Sequence, residues 1–145
     1  NSERPNKMID LAESILGTLE NKKISVLGLT FKPETDDLRS SPALDAINIL
    51  LEKKAKIFAF DPILKKESKI NNIPDECNIC SNIEDVLKDS DIALIFTKWN
   101  EFKILNSEFL KKLMNNPFII DGRGFLDKDK FERGTYFRIG MNEKD

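Results

Sequence analysis

The side chains with the clearest chemical potential lie in one stretch, residues 28–42, which reads GLTFKPETDDLRSSP. Lys32 and Arg39 put two full positive charges there, and an ammonium near a guanidinium fork suits a phosphate. Phe31, next to Lys32, adds an apolar platform on which a base can rest while its neighbour reaches the phosphate. Glu34, Asp36 and Asp37 would repel a phosphate if they faced it, so at least some should turn to solvent, to the backbone or to Arg39. A further cation, Arg123, is flanked by Gly122 and Gly124, small neighbours that leave a guanidinium free to approach a ligand; a turn bearing an exposed Arg would look the same.

Other chemistries are poorly supplied. The chain has no histidine, so the commonest general base is missing and a hydrolytic triad would need unusual parts. Cys77 and Cys80 form a lone CxxC, and without a second ligand pair a closed zinc site is not available within one chain. A redox CxxC belongs at a helix start after a strand, whereas this one lies in or beside a predicted strand, so the pair reads as ordinary reduced thiols. Trp99, the one tryptophan, reads as a hydrophobic lid over the sheet end ahead of a ligand contact. With a net charge of -2 and a pI near 5.4, the chain lacks the electrostatic signature of a nucleic-acid binder. No apolar run is long enough to span a bilayer and no signal-peptide pattern is present, so a cytoplasmic location is expected. The first residue is Asn1 rather than Met, which suggests a processed chain or an excised fragment.

The cations must be held by secondary structure, and the sequence predicts which. Residues 6–19 carry Met8, Leu11, Ala12, Ile15, Leu16 and Leu19 at helical spacing, with Gly17 as a stop. Strands are predicted at 23–27, 56–60, 78–81, 91–96, 118–120 and 135–139, and helices at 42–53, 83–88, 107–114 and 129–132. Residues 63–76 read as loop with at most a helical turn. Ser41 is a good N-cap and Pro42 suits the first helical position, so the free N–H groups of that helix face back into the basic stretch. Ser41's counterpart before the third helix is Ser81 or Asn82.

Strands alternating with helices, with no hairpin signal between them, predict a parallel sheet joined by crossovers. This rhythm suits an α/β, doubly wound, Rossmann-like sheet in the order 3-2-1-4-5-6, preceded by an N-terminal helix. In that order the first and fourth strands meet at the reversal point, where ligands bind outside the carboxyl ends. The loops after the first, fourth and fifth strands, with Lys32, Arg39, Lys98 and Arg123, should then share one crevice. The chain is not expected to hold a dinucleotide by itself: the next glycine after Gly28 is Gly122, so a GxGxxG turn cannot form. Asp61, followed by Pro62, reads as a strand-ending turn rather than a ribose ligand.

The stretch GLTFKPETDDLRSSPA, together with FAFDP, TKWNEF and FIIDGRGFL in the same order, resembles the C-terminal, nucleotide-binding domain of the UDP-glucose/GDP-mannose dehydrogenase family. The resemblance covers nearly the whole chain and implies a division at residue 20: residues 1–20 as the end of a central helical region, 21–145 as a domain that binds a UDP-sugar. The family oxidises the hydroxymethyl carbon of a nucleotide sugar to a carboxylate in two NAD-dependent steps, through a cysteine-linked intermediate. By motif position it implies that Phe31 and Lys32 contact the UDP-sugar, that Arg123 holds the uridine diphosphate, and that Arg39 reaches the NAD diphosphate across a domain interface. Trp99 in TKWNEF, in place of a His associated with the N-acetylated-sugar branch, leans toward UDP-glucose.

The resemblance also implies an N-terminal NAD-binding domain, a catalytic cysteine motif and its assisting lysine and asparagine, none of which this sequence carries; Cys77 and Cys80 match neither that motif nor its context. The chain is therefore expected to bind without catalysing, as part of an enzyme that would be a homodimer. Two other classes are weighed beside it. One is a noncatalytic assembly module, which exposed apolar positions on the first helix would favour. The other, a receiver-type domain, would need Asp61 and Asp121 close together, which the proposed order forbids.

Overall fold

The structure, a computed structural model, describes residues 3–30, 41–64 and 73–139. It contains helices α1 (Glu3–Leu16), α2 (Pro42–Glu52), α3 (Ile83–Leu87) and α4 (Ser107–Leu113). The strands are β1 (Lys23–Leu27), β2 (Lys56–Phe60), β3 (Asn78–Ile79), β4 (Ile92–Ile95), β5 (Ile119–Asp121) and β6 (Tyr136–Arg138). Short 3-10 turns cover Asn100–Ile104 and Lys128–Lys130.

All six strands form one parallel sheet in the order β3-β2-β1-β4-β5-β6, as the sequence rhythm predicts. The register aligns Leu27 with Phe60 on one side and with Ile95 on the other, and Ile95 with Asp121, so the carboxyl ends of the central strands finish level. Asp61 follows β2 and Asp121 ends β5, with β1 and β4 between those strands, an arrangement that keeps the two acids apart as expected.

Alternation along the strands splits the core in two. Ile24 and Val26 of β1, Ile57 and Ala59 of β2, and Ile92 and Leu94 of β4 are buried under α1 and α2. Leu27, Phe60, Ala93, Ile95 and Ile119 are buried on the other face, under α3, α4 and the 3-10 turn that carries Phe102. Ser25 is the polar exception on that face. Its hydroxyl lies 2.6 Å from Val86 O and 2.7 Å from Ser90 Oγ, which ties β1 to the end of α3.

The helix ends follow their local chemistry. Ser41 caps α2 with Pro42 behind it, its Oγ accepting from Ala43 N–H at 3.2 Å and donating to Leu29 O at 2.6 Å. Asn82, not Ser81, caps α3 by accepting from Asp85 N–H at 2.7 Å. The first helix departs from its predicted bounds by starting and ending earlier. It stops at Leu16 because Gly17, at φ 87, donates to Glu13 O at 2.8 Å and closes a left-handed C-terminal cap. Leu19, which continues the helical spacing, is buried from the following link instead. The turn after β4 is also more regular than its sequence suggests, because Phe102 must reach the core and winds residues 100–104 into a 3-10 helix.

No helix among the described residues is long and apolar enough to cross a membrane.

Two glycines separate conformational strain from crowding. Both Gly17 and Gly28 have positive φ, but a Cβ at Gly17 would meet nothing within 4 Å, whereas one at Gly28 would lie 2.6 Å from Thr97 Cβ and 2.9 Å from Thr97 N. Gly17→Ala should destabilise the chain by about 1–2 kcal/mol and Gly28→Ala by about 2–5 kcal/mol, since only the second adds overpacking to strain. Urea denaturation of the two variants checks the ranking.

Candidate functional site

The carboxyl edge of the sheet brings the described parts of the predicted crevice together. Gly28 leaves β1 with its N–H donating to Phe60 O at 2.8 Å, and its missing side chain lets Thr97, after β4, pack against the backbone. Thr97 Oγ1 donates to Thr30 O at 3.1 Å. On the other side, Gly122 N–H donates to Ile95 O at 2.9 Å. The loops after β1, β4 and β5 therefore start side by side, held by backbone contacts too close for a Cβ at Gly28 or Gly122.

Two carboxylates fix these loops. Asp61 is fully buried at the end of β2. Its Oδ2 accepts from Leu29 N–H at 2.7 Å, Thr30 N–H at 3.1 Å and Thr30 Oγ1 at 3.3 Å, and its Oδ1 from Ile63 N–H at 3.0 Å. The Ile63 bond is the strand-ending turn that the sequence predicts. The other bonds go further, since they aim the first residues of the basic loop from across the sheet. Asp121, also fully buried, accepts at Oδ1 from the N–H groups of Arg123 (3.0 Å) and Gly124 (2.8 Å). Its Oδ2 accepts from the N–H groups of Phe125 and Leu126 (both 2.9 Å) and from the Tyr136 hydroxyl at 2.6 Å. A buried carboxylate is tolerated where its lone pairs are filled in this way.

Tyr136 completes the second anchor. It stacks on Phe131 with centroids 4.7 Å apart, and burial, reinforced by Asp121, pushes its hydroxyl well above the ordinary value, so it remains a donor. Arg138 Nη2 donates to Leu126 O at 2.9 Å and closes the loop from the edge strand. Tyr136 and Arg138 also border a cleft of about 510 Å³ with Asp127, Lys128 and Asp129, whose mixed charges favour no single ligand sign.

Arg123 emerges from this braced turn half-buried, with no hydrogen bond or ion pair from its guanidinium among the described residues. Burial lowers its pKa, the neighbouring Arg4 of α1 lowers it further, and Asp121 opposes both. It stays charged, since an arginine is not deprotonated in a folded protein near neutrality. Lys98 is exposed on the loop after β4. Phe31, Lys32 and Arg39, with Glu34, Asp36 and Asp37, lie outside the described residues. Trp99 is only 7% exposed and packs in the cluster with Leu27, Phe60 and Phe102, and its Nε1 is buried without a partner among the described residues.

Asp61 and Asp121 are the residues that sequence reasoning undervalued. Each is a strand-terminal Asp, a pattern that also fits an ordinary turn; Asp121 holds the loop that follows it, whereas Asp61 holds Leu29 and Thr30 of the loop after β1 as well as Ile63. The packing of the neighbouring strand reveals the Leu29 and Thr30 donors on Asp61, and that of β6 reveals the Tyr136 donor on Asp121.

Cys77 and Cys80 are both buried and unbridged. Burial, with a smaller contribution from Cys80, pushes the Cys77 thiol from 9.0 up to about 12. No group of three or more His, Cys, Asp or Glu side chains among the described residues is arranged to hold a metal.

These placements have measurable consequences. Asp121→Asn leaves one acceptor oxygen for donors that now fill two, and should cost about 2–4 kcal/mol in urea denaturation, against about 1–2 kcal/mol for Tyr136→Phe. Cys77 should resist iodoacetamide in the native chain at pH 8 and react once the chain is unfolded, read by mass spectrometry. Because its folded value lies above 9.0, the neutral thiol favours the folded state below that pH, and this contribution is lost as pH rises toward about 12.

The comparison with known proteins agrees with this geometry. Residues 25–128 match the family described as UDP-glucose/GDP-mannose dehydrogenase family, UDP binding domain. The chain is 38% identical over 143 residues to a UDP-glucose 6-dehydrogenase of Rickettsia conorii, covering 97% of this chain and 33% of that protein. Among solved structures it is similar to a UDP-glucose dehydrogenase from Pyrobaculum islandicum, with a TM-score of 0.76 and 25% identity over 92% of this chain and 29% of that one. It is also similar to a UDP-D-ManNAc dehydrogenase from Pyrococcus horikoshii, with a TM-score of 0.73 and 27% identity over 94% of this chain and 30% of that one. The chain thus spans about a third of the length of the curated relatives it matches. A parallel sheet with a glycine crossing at its reversal point, a braced DGR turn and a match through both place this chain in the UDP-glucose/GDP-mannose dehydrogenase family, as its UDP binding domain.

Proposed function

We propose that the chain is the C-terminal, UDP-sugar-binding domain of an NAD-dependent nucleotide-sugar dehydrogenase of the UDP-glucose 6-dehydrogenase type, which oxidises UDP-glucose to UDP-glucuronate. The observation that carries this reading is Arg123: a half-buried guanidinium without a partner among the described residues, on a turn held by Asp121 at the carboxyl edge of the sheet, inside the family's matched span. A guanidinium that leaves a fixed turn without a partner among the described residues can bind a diphosphate with both prongs. Phe31 and Lys32, which follow in sequence the Leu29 and Thr30 backbone held by Asp61, are assigned to the nucleotide sugar, and Arg39 to the NAD diphosphate.

The described residues do not make an NAD site by themselves. The chain after Gly28 offers no second glycine before Gly122, and both oxygens of Asp61, the acid that follows β2, are occupied by Leu29, Thr30 and Ile63. NAD is therefore assigned to a domain beyond this chain. The catalytic cysteine is assigned there too, a division supported by relatives of which this chain covers only 33%. On this reading residues 1–20 end a central helical region, 21–145 form the binding domain, and the complete enzyme is a cytoplasmic homodimer. UDP-glucose is preferred because of Trp99 in TKWNEF and because the relative from Rickettsia conorii is a UDP-glucose 6-dehydrogenase. The assembly-module reading loses its expected support, since Met8, Ile9 and Ala12 of α1 are buried within the domain's own core.

Calorimetry with UDP tests the assignment. Binding should be measurable and should weaken roughly tenfold or more in each of Lys32→Ala and Arg123→Ala, the loss expected for a charge-assisted hydrogen bond. The chain alone should produce no NADH from UDP-glucose and NAD. An absence of heat at about millimolar UDP would count against the reading.

A further inference from the structure

We propose that Arg4, at the start of α1, is the second cation of an anion seat shared with Arg123, and that the pair grips the diphosphate of a nucleoside diphosphate from two sides. The proposal rests on the nucleotide-binding reading above and adds to it a residue from outside the matched span, 25–128.

The placement comes from the packing of α1. Gly122 has no room for a side chain: a Cβ there would lie 2.6 Å from Met8 Sδ and 2.7 Å from Ile95 O. Met8 is therefore pressed against the residue that precedes Arg123. Arg4 lies one helical turn before Met8, on the same face, so it is carried toward the same turn. The proximity is felt electrostatically, because the Arg4 charge is one of the causes that lower the Arg123 pKa.

The arrangement is unfavourable for the chain alone. Two guanidinium ions near each other repel, and the cost rises as water is excluded. Arg4 and Arg123 are both half-buried, and neither guanidinium has a hydrogen bond or ion pair among the described residues. The nearby carboxylate of Asp121 is already filled by five donors. Arg4 does not serve its own helix either, since a cation in the first turn opposes the helix dipole. An anion between the two guanidiniums reverses each of these costs, and a diphosphate offers each fork its own phosphate.

The test uses the chain of 145 residues, with inorganic pyrophosphate, UDP and uridine as probes in calorimetry. The variants are Arg4→Gln, Arg123→Gln and, as a charge control at the opposite edge of β2, Lys56→Gln. Arg4→Gln should weaken pyrophosphate and UDP by about tenfold or more and leave uridine unchanged, while Lys56→Gln stays within about twofold. Without ligand, Arg4→Gln should melt at or above the parent temperature, because a repulsion has been removed. Arg Nε–Hε NMR signals of both residues should shift on adding pyrophosphate. If UDP binding needs Arg123 but is indifferent to Arg4, the shared seat is overturned and the domain assignment stands. If pyrophosphate binds through both arginines while UDP is not preferred to it, the seat stands and the nucleotide assignment fails. If neither anion binds the parent chain, both are overturned.

Discussion

A parallel sheet ends all its strands at one edge, and the backbone N–H groups of the loops leaving that edge have no ladder to join. In this domain two buried carboxylates take them up. Asp61 receives the start of the loop after β1, and Asp121 receives four consecutive N–H groups of the loop after β5. The hydrogen bonds are mutual requirements: without the donors the buried charges would be intolerable, and without the charges the loops would leave their amides unpaired. Because each acid sits at a strand end, the loops inherit their positions from the sheet register.

The same edge is compressed at two places where a side chain has been dispensed with. Gly28 lets Thr97 reach the β1 backbone, and Gly122 lets Met8 and Ile95 reach the turn after β5. The first contact joins the two central strands at the reversal point, and the second docks α1 onto the functional edge. Helix α1 is thus an integral part of this fold. Its buried face completes one side of the core, and its first turn places the Arg4 charge where it lowers the Arg123 pKa. Stability and binding are linked here, because the packing that covers the sheet also sets the charges around the proposed ligand.

The cations themselves contribute little to folding. Arg123 makes no ion pair among the described residues, and its neighbour Arg4 carries the same sign. By contrast, the surface pairs Lys53 with Glu13 at 3.0 Å and Lys111 with Glu132 at 2.7 Å have partners and are exposed enough to matter little. A half-buried guanidinium on a fixed turn, without a partner among the described residues, is the feature that the proposed function assigns to a charged ligand.

The sequence by itself determined the layered fold, the parallel order and the family. Alternation in KISVL and KIFAF, the helical spacing of Met8 and Ala12, and the cap at Ser41 are local signals, readable because they depend on near neighbours in the chain. It also raised Arg123 as a candidate through its flanking glycines. What Asp61 does could not be read, because a strand-terminal Asp looks the same whether it closes its own turn or gathers amides from a segment far away in the chain; for Asp121 the unread partner is the Tyr136 hydroxyl. The helix end at Gly17 is a local cap of the kind the sequence marks, whereas the 3-10 turn at Phe102 was decided by tertiary packing. So was the electrostatic influence of Arg4 on Arg123, since the seating of Met8 against Gly122 carries one charge toward another that the chain keeps more than a hundred residues away.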